Sequence, residues 1–527
     1  MRDFQAPNRS AAIGGEAMAS TSHPLATLAA IDVLRAGGNA ADAAIAASAV
    51  LCVAEPHMTG IGGDCFVLYA PRGGLPIALN GSGRAPAAAN LDWYIARGFT
   101  EIPERSPHAV TVPGAVDAWC RLNADHGSRD MAELLAPAIW LAEDGCHLTP
   151  RVASDMAVTW PRIADDPTAV ATFLRGGAPR TLGDRVTQPL LAATLRLIAA
   201  QGRDAFYEGP VAEDIVARLR ELGGLHTVED FAAQRAAYET PIAVPYGDHE
   251  VYECPPNGQG IVALMMLRIL SGYDLYGGAM SEADRIHLLA EATKAAYAAR
   301  DAYFCDPVVD ALDIDQFLSE AWAEQARERI SVDDATSPEA WNEPEHRDTV
   351  YLTVVDRDGN AISFINSLFA EFGSGIMAPG SGVLLHSRGS IFRVRRGHPN
   401  AIAPGKRPLH TIIPAMLVKN GRAVMPFGVM GGHYQATGHA NLISRILAGG
   451  MDPQSAVDAP RSFAYGEGLQ LETTVPDAVV ADLARRGHRV MRAPRPLGGA
   501  QAIRIDAEHG LLIGGSDPRK DGFALGY

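Results

Sequence analysis

Apolar and polar residues alternate along the chain in patterns that predict both helices and strands. Residues 24 to 36, PLATLAAIDVLRA, have apolar side chains at helical spacing. Gly37 and Gly38 end this helix, and Asn39 caps a second helix that extends to about residue 53. Residues 151 to 330 are largely helical by the same criterion, with strand-like residues in PIAVPYGDHEVYEC. We therefore expect a fold that mixes helices with strand hairpins.

Between these helical regions, EPHMTGIGGDCFVLYA combines a glycine loop with a strand. A phosphate-binding loop follows a strand and opens a helix, whereas this loop follows a helix and opens a strand. We expect Gly60, Gly62 and Gly63 to permit a tight turn with close backbone approach instead.

A strand hairpin is predicted between residues 349 and 367. TVYLTVV and AISFINS both have strand composition and flank the turn sequence DRDGN. If the turn centres on Asp358, Thr349 faces Ser367 on the same side of the sheet, with their Cβ atoms roughly 5 Å apart. Such a pair is either an ordinary cross-strand contact between two hydroxyls or part of a catalytic site.

The residues before this hairpin favour the catalytic interpretation. SVDDATSPEAWNEPE, at positions 331 to 345, is acidic and has almost nothing to bury. A threonine can act as a nucleophile when its own α-amino group is the base, which requires that threonine to begin a chain. A precursor that cleaves itself before Thr349 would have such a tail just upstream.

A second candidate element is PFGVMGGHYQ, an apolar strand that ends at Gly431 and Gly432. Two residues without side chains can direct their N–H groups at a developing oxyanion. The alternative is a tight turn with no role in chemistry.

Composition then limits the class of protein. The chain has 527 residues, of which 47% are hydrophobic and 20% are charged, as expected for a globular protein. A net charge of −16 disfavours nucleic acid and anionic membranes as partners. The start of the sequence lacks the apolar stretch of a signal peptide, and the longest apolar run, AAIAASAVLCVA, is shorter than the ~20 residues of a membrane span, so we expect a cytoplasmic protein.

Charge and cysteine are distributed unevenly about Thr349. Residues 349 to 527 contain 19 Lys and Arg against 13 Asp and Glu, whereas residues 1 to 348 contain 26 against 48. The two parts either complement each other electrostatically or reflect an acidic surface with a basic patch. All six cysteines precede Thr349, without metal-binding spacing, and are expected to be buried free thiols.

Taken together, the motifs resemble those of the γ-glutamyltranspeptidase family of N-terminal-nucleophile (Ntn) hydrolases. The matching sequences span nearly the whole chain: GGNAADAAIAASAVLCVAEPHMTGIGGDCFVLY, TVPGAVDAW, DTVYLTVVDRDGNAIS, FGSGIMAPGSGVLL, GKRPLHTIIPAM, MGGHYQ and GGSDPRKDGFALGY. The resemblance implies an α+β, four-layer αββα sandwich. It also implies a precursor that cleaves itself between Asp348 and Thr349 into a large subunit, residues 1 to 348, and a small subunit, residues 349 to 527.

By position, the resemblance makes Thr349 the nucleophile, Ser367 the second hydroxyl that supports it, and Gly431 with Gly432 the oxyanion hole. No disulfide could join the two subunits, because the small one has no cysteine. Noncovalent burial must therefore hold them together.

The substrate pocket departs from the family pattern. γ-Glutamyl-specific members hold the substrate's ammonium with Asn and Asp, where this chain has Phe369 and Ile391, which cannot accept a hydrogen bond from a cation. The remaining changes place His410 and Thr411 at the serine pair that binds the carboxylate, Arg388 at a glutamine, and Ser82 at an arginine, with Arg84 two positions on.

An amide that carries a carboxylate but no nearby amine fits this pocket best, with Arg388 or Arg84 as an anion clamp. The alternative for Arg388 is a solvent-facing position. The altered pattern is similar to that of oxamate amidohydrolases, which act in ureide nitrogen salvage, and of glutaryl acylases. We therefore expect an oxamate-like amidohydrolase, with γ-glutamyl transfer or glutathione hydrolysis, glutaryl acylase activity and a non-catalytic scaffold as alternatives.

No cofactor or metal site is expected, because HExxH and paired Cys/His spacings are absent from the sequence. The expected partners are a small amide substrate and the two subunits of one precursor, which we expect to form a dimer of such pairs.

Overall fold

The computed structural model describes residues 8–308, 312–336, 349–466 and 468–527, and two seven-stranded sheets form its centre. The first sheet contains, in spatial order, Phe523–Gly526, Met18–Thr21, Val350–Val355, Ala361–Ser367, Asp64–Ala70, Ile77–Gly81 and Ala237–Glu239. The second contains Ala12–Gly14, Leu511–Ser516, Gly499–Asp506, Arg422–Met430, Ala415–Lys419, His249–Glu253 and Ile242–Tyr246. The smaller sheets are Ser462–Tyr465 with Gly468–Leu471 and Val490–Arg492, Cys146–His147 with Arg185–Val186, and Leu174–Arg175 with Ala178–Pro179.

Helices cover the outer face of each large sheet. Those whose apolar residues pack with the first sheet are Pro24–Arg35, Ala40–Ala54, Ala115–His126, Met131–Asp144, Pro189–Gln201, Arg203–Tyr207, Pro210–Glu221 and Val228–Ala232. Those that pack with the second sheet include Gly260–Leu270, Glu282–Tyr303, Ile314–Leu318, Glu320–Glu328, Tyr434–Ile443 and Pro453–Asp458. Peripheral helices are Leu91–Ala96, Pro150–Thr159, Pro167–Phe173 and Asp477–Arg485, and short helical turns occur at Pro107–Ala109, Trp160–Arg162, Arg388–Ile391 and Ser444–Ala448.

The alternation of side chains along the strands explains the layering. In Val350–Val355, Leu352 and Val354 pack with the helices, whereas Tyr351 and Val355 belong to the core between the two sheets. This is the period of two that a strand buried on both faces requires. The predicted four-layer αββα architecture is confirmed.

The predicted large and small subunits both contribute strands to each of the two central sheets. Val350–Val355 pairs with Met18–Thr21, and Ala361–Ser367 pairs with Asp64–Ala70. In the second sheet, His249–Glu253 pairs with Ala415–Lys419. A cut before Thr349 would therefore leave ladder hydrogen bonds and buried cores joining the two pieces, although the boundary itself stays a prediction.

The predicted helices at the start of the chain are confirmed. The first is Pro24–Arg35, and the second is Ala40–Ala54, where Asn39 accepts hydrogen bonds from the N–H groups of Ala41 and Asp42. All six cysteines are free, and all but Cys120 are buried. None of the helices in the described ranges is both long enough and apolar enough to span a membrane.

Candidate active site

Thr349 and Ser367 lie side by side on the first sheet, as the hairpin register predicted. Val350 pairs with Asn366 and Tyr351 with Ile365, so position 349 falls opposite position 367. The Thr349 Oγ1 atom is 3.1 Å from Ser367 Oγ, and both residues are fully buried. Asp348, the other side of the predicted cleavage bond, lies outside the described residues.

The glycine loop makes room for this strand end. A Cβ atom on Gly63 would lie 2.3 Å from the carbonyl oxygen of Ser367, and one on Gly62 would lie 2.2 Å from the carbonyl oxygen of Leu384. No side chain is tolerated at such distances. The predicted close backbone approach is confirmed for Gly62 and Gly63. A Cβ atom on Gly60 would meet only the side chain of Leu368, at 3.4 Å, so the prediction does not hold for Gly60.

Gly431 and Gly432 form the loop between the Arg422–Met430 strand and the Tyr434–Ile443 helix. Their φ angles, 123° and 57°, are ones that residues with side chains rarely adopt. Both residues are buried, and no acceptor among the described residues takes the N–H of either one. Buried N–H groups are nearly always paired, so this pair of free donors indicates a place for a ligand oxygen.

A buried hydrogen-bond network supports the loop of Gly431 and Gly432. Gln259 donates its side-chain amide to the carbonyl oxygens of Gly432, at 3.1 Å, and of Thr411, at 2.9 Å. Arg300 donates to Gln259 Oε1 at 3.2 Å and lies 2.8 Å from His433 Nδ1. The turn CPPNGQG, which contains Gln259, therefore supports the loop of Gly431 and Gly432.

Arg388 is fully buried, which excludes the solvent-facing alternative. Its Nη1 donates to Thr411 Oγ1 at 2.7 Å, and its guanidinium lies over the Phe369 ring, 4.2 Å from the centroid. Among the described residues, no hydrogen-bond partner takes Nε or Nη2, and Nε is 3.8 Å from Asp64 Oδ2. Burial lowers the pKa of Arg388 to about 9, against the opposing effect of Asp64.

Asp64 is the buried counter-ion of this cluster. It pairs across the sheet with Ser367, and its carboxylate accepts hydrogen bonds from Gly83 N and His410 Nε2, each at 2.9 Å. Burial alone would raise its pKa, but His386, His410 and Arg388 together hold it well below the usual range. Asp64 is therefore ionised at neutral pH.

His410, which stands where the family's serine pair binds the carboxylate, carries no positive charge in this site. Burial, with the neighbouring positive charge of Arg388, lowers the pKa of His410 to about 3. The imidazole is neutral at pH 7, and its Nε2–H donates to Asp64. Thr411 likewise engages Arg388 through its hydroxyl, so both residues position the charged pair.

Phe369 and Ile391 are both buried, and Phe369 also contacts Ser367, the residue opposite Thr349. Its N–H donates to Ser367 Oγ at 2.9 Å, with φ at 77°. Arg84 lies apart: its side chain is 36% exposed, donates to the Gly405 carbonyl at 2.9 Å and is 3.7 Å from Asp306. No hydrogen bond or ion pair among the described residues joins Arg84 to Thr349 or Arg388, so Arg388 is the better candidate for an anion clamp.

Among the described residues, one cluster has the residue types of a metal site: His287, Glu291 and His488. Their ligand atoms are already engaged, since His287 Nδ1 is 2.8 Å from His488 Nε2 and Glu291 contacts the ammonium of Lys294. A cation would have to displace that ammonium, so the cluster does not fit a metal.

Comparison with known proteins identifies the family. The Gamma-glutamyltranspeptidase family model matches residues 26–527. The chain belongs to the γ-glutamyltranspeptidase family. The family relationship accounts for the sandwich fold and for the motifs around Thr349, Ser367 and Gly431.

Relatives of this chain within the family are named for different activities. The chain is 38% identical to the glutathione hydrolase-like YwrD proenzyme of Bacillus subtilis (strain 168), with 98% of this chain and 99% of the relative covered. It is 37% identical to the oxamate amidohydrolase proenzyme of Klebsiella pneumoniae subsp. pneumoniae, with 97% and 98% covered. A crystal structure of cephalosporin acylase from Bacillus halodurans superimposes with a TM-score of 0.93 at 38% identity, covering 100% of this chain and 99% of that one. The names of these relatives give different substrates within one family.

Proposed function

We propose that the chain is an Ntn amidohydrolase that matures by cleaving itself between Asp348 and Thr349. In this step Thr349 Oγ1 attacks the carbonyl carbon of residue 348, the peptide C–N bond breaks, and an ester links the two parts. The Oγ1 proton passes to the leaving nitrogen, which becomes the free α-amino group of Thr349. Water then hydrolyses the ester, which releases the carboxylate of residue 348 and restores the Thr349 hydroxyl. The contact of 3.1 Å between Thr349 Oγ1 and Ser367 Oγ supports this assignment, as do relatives that are named proenzymes.

In the mature enzyme, the α-amino group of Thr349 takes the proton from Oγ1 as the hydroxyl attacks the substrate amide. The free N–H groups of Gly431 and Gly432 stabilise the negative charge on the carbonyl oxygen. The proton passes to the leaving amine as the C–N bond breaks, and an acyl ester remains on Thr349. Water hydrolyses that ester, which releases the carboxylic acid and restores the hydroxyl.

We propose a small amide that carries a carboxylate, of which oxamate is an example, as the substrate. The observation that carries this proposal is the buried guanidinium of Arg388, whose Nη2 has no hydrogen-bond partner among the described residues. A carboxylate would supply the missing acceptor, and charge-assisted pairs of this kind are the strong ones. Phe369, which stands where γ-glutamyl-specific relatives have an acceptor, lies directly beneath that guanidinium.

γ-Glutamyl hydrolysis or transfer is the second candidate, and Asp64 favours it. An ionised carboxylate one strand away from Ser367 could accept an ammonium group. Its oxygens, however, already face Gly83 N, His410 and Arg388. An ammonium without an acceptor would cost several kcal/mol to bury, about two orders of magnitude or more at 1.4 kcal/mol per tenfold.

The test is a comparison of kcat/KM for oxamate, a glutaryl amide and a γ-glutamyl anilide on the matured enzyme. We expect oxamate to be hydrolysed best and the γ-glutamyl compound worst. Should the γ-glutamyl anilide exceed oxamate by tenfold, Asp64 must bind the ammonium and the carboxylate-only proposal is wrong. The Thr349→Ala variant is the control, since it should stay one uncut chain and hydrolyse none of the three.

A further inference from the structure

Gln435 lies next to Thr349 at the start of the Tyr434–Ile443 helix and was not among the residues expected from the sequence. It is fully buried, and its Nε2 is 3.4 Å from Thr349 Oγ1. The other end of its amide accepts a hydrogen bond from the N–H of Ile413 at 3.1 Å. The side chain thus bridges the loop before the Ala415–Lys419 strand and the hydroxyl of Thr349.

The contact with Ile413 fixes which way the amide faces. Only the carbonyl oxygen of a glutamine side chain can accept from an N–H, so Oε1 must face Ile413. A flipped amide would place two donors against each other and leave the buried N–H of Ile413 unpaired. Gln435 therefore presents an N–H donor, not an acceptor, to Thr349 Oγ1.

The Gln435 amide donates to one of the two paired hydroxyls, those of Thr349 and Ser367. A hydroxyl oxygen has one proton and can accept two hydrogen bonds. Ser367 Oγ accepts from Phe369 N and lies 3.1 Å from Thr349 Oγ1, where either hydroxyl can be the donor. Gln435 Nε2 donates to Thr349 Oγ1. This contact places an amide donor at the nucleophilic oxygen whichever hydroxyl of the pair is the donor.

We propose that Gln435 is a catalytic residue of the Thr349 reaction. Its amide N–H holds Oγ1 in place and stabilises the negative charge that this oxygen acquires as its proton leaves. This inference rests on the proposed function, because it requires Thr349 to be the nucleophile. It applies to self-cleavage and to substrate turnover alike, since both use the same oxygen.

Gln435→Glu tests the donor separately from the structural bridge. The new carboxylate keeps an acceptor for the N–H of Ile413 but replaces the donor facing Thr349 with an acceptor. We expect kcat for oxamate to fall by about 10- to 100-fold, the range of a hydrogen bond to a charged group, with KM changed less than threefold. The ratio of variant to wild-type kcat should rise as pH falls, because the protonated carboxyl can donate again.

Gln435→Met, which removes both contacts, should lower kcat by a similar factor and slow self-cleavage. The matched control is Gln188→Met, which removes another buried glutamine, one that donates to the Val53 carbonyl at 3.0 Å. It should lower the melting temperature without lowering kcat. Wild-type kcat in both Gln435 variants, with Thr349→Ala inactive and uncut, would overturn the role of Gln435 and leave the proposed function standing. Activity in Thr349→Ala would overturn both.

Discussion

Replacing Arg388 with methionine removes the proposed anion clamp and keeps most of the apolar stem that covers Phe369. A carboxylate that meets Nε and Nη2 would gain two charge-assisted hydrogen bonds, each worth about 1.5 to 3 kcal/mol. Asp64 at 3.8 Å offsets part of the guanidinium charge, so we take the lower end of the sum, about 3 kcal/mol. At 1.4 kcal/mol per tenfold, kcat/KM for oxamate should fall by about 100-fold.

The assay compares oxamate with oxamide, which has nearly the same shape and no charge. Arg388→Met should lower kcat/KM for oxamate by about 100-fold and for oxamide by less than threefold, because only the anion loses a partner. Self-cleavage should proceed at the wild-type rate. Arg395→Met, at an exposed arginine of the same segment, is the matched control and should change neither substrate.

Two results would refute this reasoning. An equal loss for oxamate and oxamide would mean that Arg388 supports the fold of the site and does not select a charge. An unchanged kcat/KM for oxamate would mean that the carboxylate binds elsewhere, and Arg84, despite its exposure, would be the next residue to replace.

Three further outcomes are expected. Ser367→Ala should slow both self-cleavage, followed by denaturing electrophoresis, and turnover, followed by amide hydrolysis. Wild-type rates of both would mean that this hydroxyl has only a structural role. Gly432→Ala should lower kcat by about 100- to 1,000-fold if one oxyanion donor is lost, and a kcat within threefold of wild type would place the oxyanion elsewhere. For oxamate, kcat/KM should rise as pH passes the ordinary amine pKa of Thr349, about 8, and fall as Arg388 deprotonates near its pKa of about 9. The falling limb should be absent from Arg388→Met, and a limb that persists there would assign it to another group.

Much of the site could be predicted because it depends on local regularities. The strand period of two placed Thr349 opposite Ser367 once the centre of the turn was known, and the turn is short enough to read from the sequence. The glycine loop could likewise be identified as a close-approach turn from the order of helix, loop and strand. Its partner, the carbonyl of Ser367, is more than 300 residues away, and no local pattern specifies it.

The charged cluster could not be predicted, because it joins residues that are distant in sequence. Asp64 follows three apolar or glycine positions at the start of a buried strand, where a lone carboxylate would ordinarily be too costly. Its presence there signals a buried partner, but the sequence does not say that Arg388 and His410 are that partner. The neutral state of His410 follows from burial beside Arg388, which only the three-dimensional arrangement reveals.

The arrangement of strands predicts which residues should affect both self-cleavage and turnover and which should affect turnover alone. The Val350–Val355 strand is held on both sides, by Met18–Thr21 and by Ala361–Ser367, and Thr349 Oγ1 contacts Ser367 in the intact chain. The hydroxyl is therefore positioned before any cut, so residues that touch it should affect self-cleavage and turnover together. Arg388 contacts neither Thr349 nor Ser367 through any described hydrogen bond, and it should affect turnover alone. This difference in phenotype distinguishes a residue that aligns the nucleophile from one that selects the substrate, even before the substrate is known.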